Sequence, residues 1–419
     1  KKIKYDKNCK LKLAGNINSW EFFSRRKESP KYISVKLVVG DKHDHRCKFC
    51  GYQGENLEIV NLDQNYNNND INNCDIHIIA VPTPVNKKNQ PDIRLLKEAS
   101  KNVAVNLRKK NIVIYESTVF PGCTEEVCVP ILEQASGLIF NTHFYCGYSP
   151  ERIVPGDKIN TLTTIKKVTS GSTPKIADFV DDLYNSIISA GTFKAVSIKV
   201  AEASKAIENA QRDVNISFVN ELALIFDRVG IDTQDVLDAA GSKWNFLKYK
   251  PGLVGGHCIS VDPYYLAYKA ENLGYHPEVI LSGRRVNDNM STFVANKMIK
   301  MLIKSGKQII GSKILILGVT FKENCPDIRN SKVSDVHNEL KEFGLKVDVY
   351  DCEADTAEVK EKCGIQLIDK IKEKYDGILL AVSHDKFSVV NIESLKKDSK
   401  SIVYDLKGFL PRNHVSARL

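Results

Sequence analysis

No apolar run in this 419-residue chain comes near the ~20 residues that a membrane span needs. The longest, such as Gly377-Ile-Leu-Leu-Ala-Val382, have the length of a buried strand. The first residues, Lys1-Lys-Ile-Lys-Tyr-Asp6, hold no apolar core of a secretory signal. Eleven cysteines are an odd number spread thinly, which argues against a disulfide framework. Reduced thiols and a cytoplasmic location are therefore expected. Blocks of like charge are missing too. The net charge of +9 is scattered, so a solvated surface is expected rather than a nucleic-acid groove. With 42% hydrophobic and 26% charged residues, the chain is neither collagen-like nor of low complexity. At roughly 150 residues per domain, its length suggests about three domains.

The texture changes along the chain. Residues 1–70 are basic and Asn-rich, with 14 Lys and Arg against 9 Asp and Glu. They end in Asn65-Tyr-Asn-Asn-Asn69, a loop or seam by its turn-forming composition. From residue 75 strands and helices alternate. Asp75-Ile-His-Ile-Ile-Ala-Val81 reads as a strand, Ile93 to Lys109 as a helix and Asn111-Ile-Val-Ile-Tyr115 as the next strand. Such alternation predicts a parallel sheet with crossover helices. Across residues 199–230, Val200, Ala203, Ile207, Ala210 and Val214 recur at helical spacing with no Gly or Pro before Gly230. That predicts one long helix serving as a connector or an oligomer interface. A second α/β block starts at Lys313-Ile-Leu-Ile-Leu-Gly318. Its further strands are expected at 345–351, 377–382 and 401–405.

Four segments carry candidate chemistry. In Gly255-Gly-His-Cys-Ile-Ser-Val-Asp262, paired glycines permit close approach of the backbone to a ligand, and the Cys258 thiol has a carboxylate four residues on. Such a thiol could attack a carbonyl carbon, or it could be an inert buried cysteine. Lys205 and Asn209 lie at i and i+4 on the long helix, so they share a face. Together they could stabilise an oxyanion, unless Lys205 is an ordinary exposed lysine. Glu116-Ser-Thr-Val-Phe-Pro-Gly122 and Ser149-Pro-Glu-Arg152 both follow predicted strands, where parallel sheets collect ligands. Glu151 is thus a candidate base and Thr118 a candidate water-positioning hydroxyl, with plain turn chemistry the alternative. Gly318-Val-Thr-Phe-Lys-Glu-Asn-Cys-Pro-Asp-Ile-Arg329 offers Lys322 and Arg329 to phosphate or carboxylate, or to solvent.

Taken together and in this order, these segments resemble the UDP-glucose/GDP-mannose dehydrogenase family over about residues 71–419. Gly241-Ser-Lys-Trp-Asn-Phe-Leu247 and Lys250-Pro-Gly-Leu-Val-Gly-Gly-His257 resemble its UDP-N-acetylhexosamine branch, which makes uronic acids for capsule and O-antigen polysaccharides. The resemblance implies NAD-dependent, four-electron oxidation of the C6 alcohol of a UDP-N-acetyl sugar. It implies a Cys258 thiohemiacetal and thioester. Lys205 and Asn209 would serve as oxyanion stabilisers, Asp262 would assist proton transfer, and Glu151 and Thr118 would support thioester hydrolysis. Gly255, Lys205 and Lys322 would meet the substrate. Pro82, Thr83, Thr118, Glu151 and Arg329 would meet the cofactor, and the long helix would form the core of a homodimer.

The family's glycine-rich G-x-G-x-x-G turn, which receives the pyrophosphate, is found nowhere in the chain. Gly51-Tyr-Gln-Gly54 has the wrong spacing. Its place is taken by Arg46-Cys-Lys-Phe-Cys-Gly-Tyr-Gln53, in which Cys47 and Cys50 could hold half of a tetrahedral zinc site, and only weakly. With Asn18-Ser-Trp20 and Phe22-Phe-Ser-Arg-Arg26, this segment resembles the N-terminal part of DotN/IcmJ, a component of Dot/Icm type IV secretion systems.

The expected organisation is then a foreign DotN/IcmJ-like segment at 1–70, carrying any contact with secretion machinery, and the truncated remainder of an NAD-binding Rossmann-like domain at 71–195. A helical dimerisation domain follows at 196–304, and a UDP-sugar-binding Rossmann-like domain at 305–419. Poor NAD binding is expected of such a chain. The competing reading is a zinc-binding secretion-system scaffold segment fused to an inactive dehydrogenase remnant.

Overall fold

The computed structural model describes residues 75–86, 88–153, 159–256 and 258–419, together with three short strands, β1 (Ile3–Tyr5), β2 (Leu11–Leu13) and β3 (Val35–Val38). Its contacts divide the chain into two units. The first holds residues 1–208 and 264–275, the second residues 209–263 and 276–419.

The first unit is built on a six-stranded sheet in the order β3-β4-β5-β6-β7-β8. The strands after β3 are β4 (Ile76–Ile79), β5 (Ile112–Tyr115), β6 (Tyr145–Tyr148), β7 (Lys167–Gly171) and β8 (Thr192–Lys194). β3 to β6 run parallel, β7 is antiparallel to β6, and β8 is parallel to β7. Thus β3, from the stretch expected to be foreign, pairs directly with the first dehydrogenase-like strand. Helices α1 (Arg94–Ala104), α2 (Val129–Ser136) and α3 (Pro174–Asn185) cross between strands. Ile76, Ile112 and Ile114 pack on Ile176, Phe179, Val180 and Leu183 of α3. Helix α1 is shorter than the expected 93–109, because Asn111 Oδ1 accepts the Arg108 N–H at 2.7 Å and closes a turn there.

The long helix is present as α4 (Ile198–Val229), 32 residues, followed by α5 (Thr233–Ala240), α6 (Asp262–Asn272) and α7 (Glu278–Lys304). Within the second unit, α4 and α7 are locked by a buried polar network. Arg284 Nη1 meets Asp213 Oδ1 at 2.6 Å, Asn287 Nδ2 donates to the same oxygen at 2.7 Å, and Asn220 Nδ2 donates to Asn287 Oδ1 at 2.8 Å. Every member is buried, and charged pairs at such depth persist only when further hydrogen bonds support them.

The second sheet runs β10-β9-β11-β12-β13, all parallel. Its strands are β9 (Lys313–Leu317), β10 (Lys346–Tyr350), β11 (Gly377–Leu380), β12 (Ile402–Asp405) and β13 (Ala417–Arg418). Helices α8 (Val333–Glu342), α9 (Thr356–Cys363) and α10 (Ile392–Leu395) complete the block. Ile314 and Ile316 face α7 and α8, while Leu315 and Leu317 face Phe387 and Ile392. A parallel sheet covered on both faces explains why its inner strands β9 and β11 read as continuous apolar runs. The order reverses between β9 and β11, which places a ligand crevice beyond their carboxyl ends. No helix among the described residues is long and apolar enough to cross a membrane.

Candidate active site

In the first unit, the loops after neighbouring parallel strands are tied together. Thr83 Oγ1 donates to the Thr118 carbonyl at 2.6 Å, Ser117 Oγ to the Val81 carbonyl at 2.7 Å and Tyr265 Oη to the Thr83 carbonyl at 2.5 Å. Pro82, Thr83 and Thr118 are half-buried there, at the carboxyl end of the sheet. Such neutral hydroxyls at strand ends fit one side of a dinucleotide.

The Ser149-Pro-Glu-Arg152 loop is gripped from below by Lys167, a residue that sequence reasoning missed. Its buried Nζ donates to the carbonyls of Ser149 and Pro150 at 3.3 and 3.2 Å. It also lies 3.4 Å from Glu116 Oε1 and 4.8 Å from the centre of the Tyr184 ring. Arg152 completes the clamp, with Nη2 2.8 Å from Glu208 Oε1. Burial pushes the Glu151 carboxyl above the ordinary range, against the opposing pull of Lys205, the Ile153 N–H and Lys167. Lys205 is itself buried, so the exposed-lysine alternative does not hold.

Cys258 and Asp262 close one turn in the second unit. The Cys258 carbonyl accepts the N–H groups of Val261 and Asp262 at 3.1 and 2.8 Å. Asn209 Nδ2 donates to Asp262 Oδ2 at 2.6 Å, and both side chains are buried. Cys258 is half-buried, not enclosed as an inert core thiol would be. The paired glycines have a concrete reason. A Cβ on Gly255 would meet the Asn330 carbonyl oxygen at 2.5 Å, and one on Gly256, at φ +86°, would meet the Phe321 ring at 3.0 Å. The expected close approach to a ligand is corrected here: what the two glycines admit is the Phe321–Asn330 loop.

That loop borders a small pocket lined by Gly255, Thr320, Phe321, Lys332, Val382 and Lys407, among others. It lies where the second sheet reverses its strand order, at the ends of β9, β11 and β12. Lys407, also missed, follows β12 directly. Burial holds its ammonium below the usual lysine range. Its signal in the sequence was its post-strand position in Asp405-Leu-Lys-Gly408. Lys322 is half-buried beside Phe321. Arg329 is forked onto Asp327, with Nε 2.9 Å from each carboxylate oxygen. Cys47 and Cys50, the expected zinc ligands, lie outside the described residues.

Comparison with known proteins reaches both units from residue 53 onward. Residues 53–188 match the UDP-glucose/GDP-mannose dehydrogenase family, NAD binding domain. Residues 199–289 match its central domain and 315–412 its UDP binding domain. The first of these matches begins inside the stretch expected to be foreign, and the DotN/IcmJ resemblance of residues 1–70 is not shown. The chain is 56% identical to the UDP-N-acetyl-D-glucosamine 6-dehydrogenase of Salmonella typhi over 353 residues, 83% of each chain. It is 52% identical to the Pseudomonas aeruginosa protein of the same name, over 86% of each. Among solved structures, the UDP-D-ManNAc dehydrogenase of Pyrococcus horikoshii superposes with a TM-score of 0.75 at 28% identity, covering 85% of this chain and 82% of that one. With its second sheet, its cysteine turn and its long helix matched in one order, the chain belongs to the UDP-glucose/GDP-mannose dehydrogenase family.

Proposed function

We propose that the chain oxidises the C6 alcohol of UDP-N-acetyl-D-glucosamine to the carboxylate, with NAD as oxidant. The observation that carries this reading is the buried 2.6 Å hydrogen bond from Asn209 on α4 to Asp262 of the turn that bears Cys258. The names of relatives 52–56% identical support the sugar. Bound NAD supplies the hydride acceptor for both two-electron steps, and Thr83 and Thr118 are the described residues suited to hold it. The Cys258 sulfur adds to the aldehyde carbon to give a thiohemiacetal. Oxidation of that adduct leaves a thioester, which water cleaves to the acid and the free thiol. Asn209 and Lys205 donate to the oxyanions of these steps, and Asp262 holds the Asn209 amide in place while relaying the proton. Lys322, Lys332 and Lys407 supply positive charge for the diphosphate. The test is stoichiometric: two NADH should form for each uronate detected by mass spectrometry. One NADH with an aldehyde product would overturn the reading.

Glu151, in this reading, receives a proton from the hydrolytic water and must be ionised to do so. Its pKa is raised, so kcat should climb with pH along a limb centred above the ordinary carboxylate value. Glu151→Gln should lose that limb and about 10²-fold or more of kcat. An unchanged acid limb in the variant would assign the titration to another group.

We also propose that α4 forms the core of a homodimer. Val200, Ile207, Phe218, Ile225 and Val229 are exposed. At ~100° per residue they fall within about 40° of one another, an apolar stripe along a solvent-facing edge. Phe218→Glu combined with Ile225→Glu should convert a dimer to a monomer in sedimentation velocity. A wild-type monomer would refute the proposal.

A further inference from the structure

Asp351, Cys352 and His384 bring potential metal-ligating atoms within 4.8 Å of one another in the second unit. The lone pairs of Asp351 and the Nδ1 of His384 are already committed. Asp351 Oδ2 accepts the N–H groups of Val319 and Thr320 at 2.6 and 3.4 Å, and Oδ1 those of Glu353 and Ala354 at 2.7 and 2.9 Å. His384 Nδ1 accepts the Asn324 N–H at 3.0 Å, so it carries no proton and the ring is neutral. The proton then sits on Nε2, which is 3.2 Å from both Asp351 Oδ2 and Thr320 Oγ1. Thr320 Oγ1 in turn donates to the Lys322 carbonyl at 2.8 Å. Asn324 is held from its other side by the Asp385 N–H, which donates to Asn324 Oδ1 at 2.9 Å.

This geometry points to a different use than metal binding. We infer that His384, with Asp351, is a positioning residue that fixes the Val319–Asn324 turn and so aims Lys322 and the Thr320–Phe321 wall of the pocket at the nucleotide end of the substrate. Neither side chain lines that pocket. Both are fully buried, 0% exposed at the side chain, directly beneath the turn. In sequence the two residues are 33 apart, brought together because β10 and β11 flank β9. Five backbone or hydroxyl groups of the turn end on this pair directly or through Thr320, which is why one buried imidazole can govern its shape. A neutral histidine suits the task, since it donates on one side and accepts on the other.

The inference rests on the reading of this pocket as a UDP-sugar site, and the experiment separates the two. UDP alone is titrated calorimetrically into the full chain and into two variants. His384→Asn keeps an acceptor near Nδ1 and loses the donor, while His384→Gln keeps a donor near Nε2 and loses the acceptor. Each variant should bind UDP at least about tenfold more weakly, and KM for the UDP-sugar should rise similarly. KM for NAD and kcat should stay within about threefold, a split that general destabilisation would not produce. Amide hydrogen exchange should quicken in 319–324 while strand 377–380 keeps its protection. Wild-type affinity for UDP in both variants overturns the positioning role and leaves the site intact. Failure of the wild-type chain to bind UDP overturns the site itself, and the inference with it. Exchange that quickens equally in 377–380 shows a general structural role and also overturns it.

Discussion

Replacing Cys258 with alanine should lower kcat for NADH formation by at least about 10³-fold, with NAD in large excess, while UDP still binds as in the wild type. The size follows from the chemistry. A nucleophile that acts as one unit with its neighbours cannot be removed in part, and losses on that scale are typical of nucleophile removal. Cys258 is half-buried in a turn closed by its own carbonyl. Alanine removes the sulfur without disturbing those backbone hydrogen bonds, so the fold and the pocket should persist. Serine tests the idea from another direction. Its hydroxyl can add to an aldehyde, but it is a far weaker nucleophile near neutral pH than a thiol. Cys258→Ser should therefore stall after the first oxidation, and a carbonyl reagent should trap the C6 aldehyde. Full activity in Cys258→Ala would remove the thiol from the mechanism.

The strands of the second unit were legible because both faces of the sheet are covered. Lys313–Leu317 and Gly377–Leu380 read as unbroken apolar runs, and each lies within a residue or two of its expected place. The long helix was equally plain, since no Gly or Pro interrupts it before Gly230. The glycine pair was legible as a place of close approach, but the approach was expected to a ligand and is to another loop. Its partner was not legible, because Phe321 and Asn330 are more than 60 residues away in sequence. Lys167 was invisible for a different reason. A lysine inside a strand reads as an outward-facing charge, and only the packing of Tyr184 and Glu116 shows that it turns inward. Asp351 and His384 escaped in the same way. Each follows a strand with an ordinary polar residue, and their chemistry begins only where the two strand ends meet.

The remaining large effect concerns the cofactor. Thr83 and Thr118, proposed to hold NAD, stand together at the carboxyl end of the first sheet, but the chain holds no G-x-G-x-x-G turn, and no two of its glycines are even spaced as G-x-G. In a dinucleotide site that turn lets the pyrophosphate approach the backbone and rest on a helix N-terminus. The helix end contributes up to about 2 kcal/mol and each charge-assisted hydrogen bond about 1.5–3 kcal/mol. Losing the helix end and one such bond weakens binding by roughly 4 kcal/mol, about 10³-fold. The acidic residue that would hold the ribose some 20 positions later is missing as well. We therefore expect calorimetry to give a Kd for NAD of about a millimolar or weaker, beside intact UDP binding by the same sample. Grafting a βαβ unit that carries the glycine turn ahead of residue 75 should tighten NAD binding by about 10³-fold and leave UDP unchanged. A micromolar Kd for the chain as it stands would mean that other residues cradle the pyrophosphate.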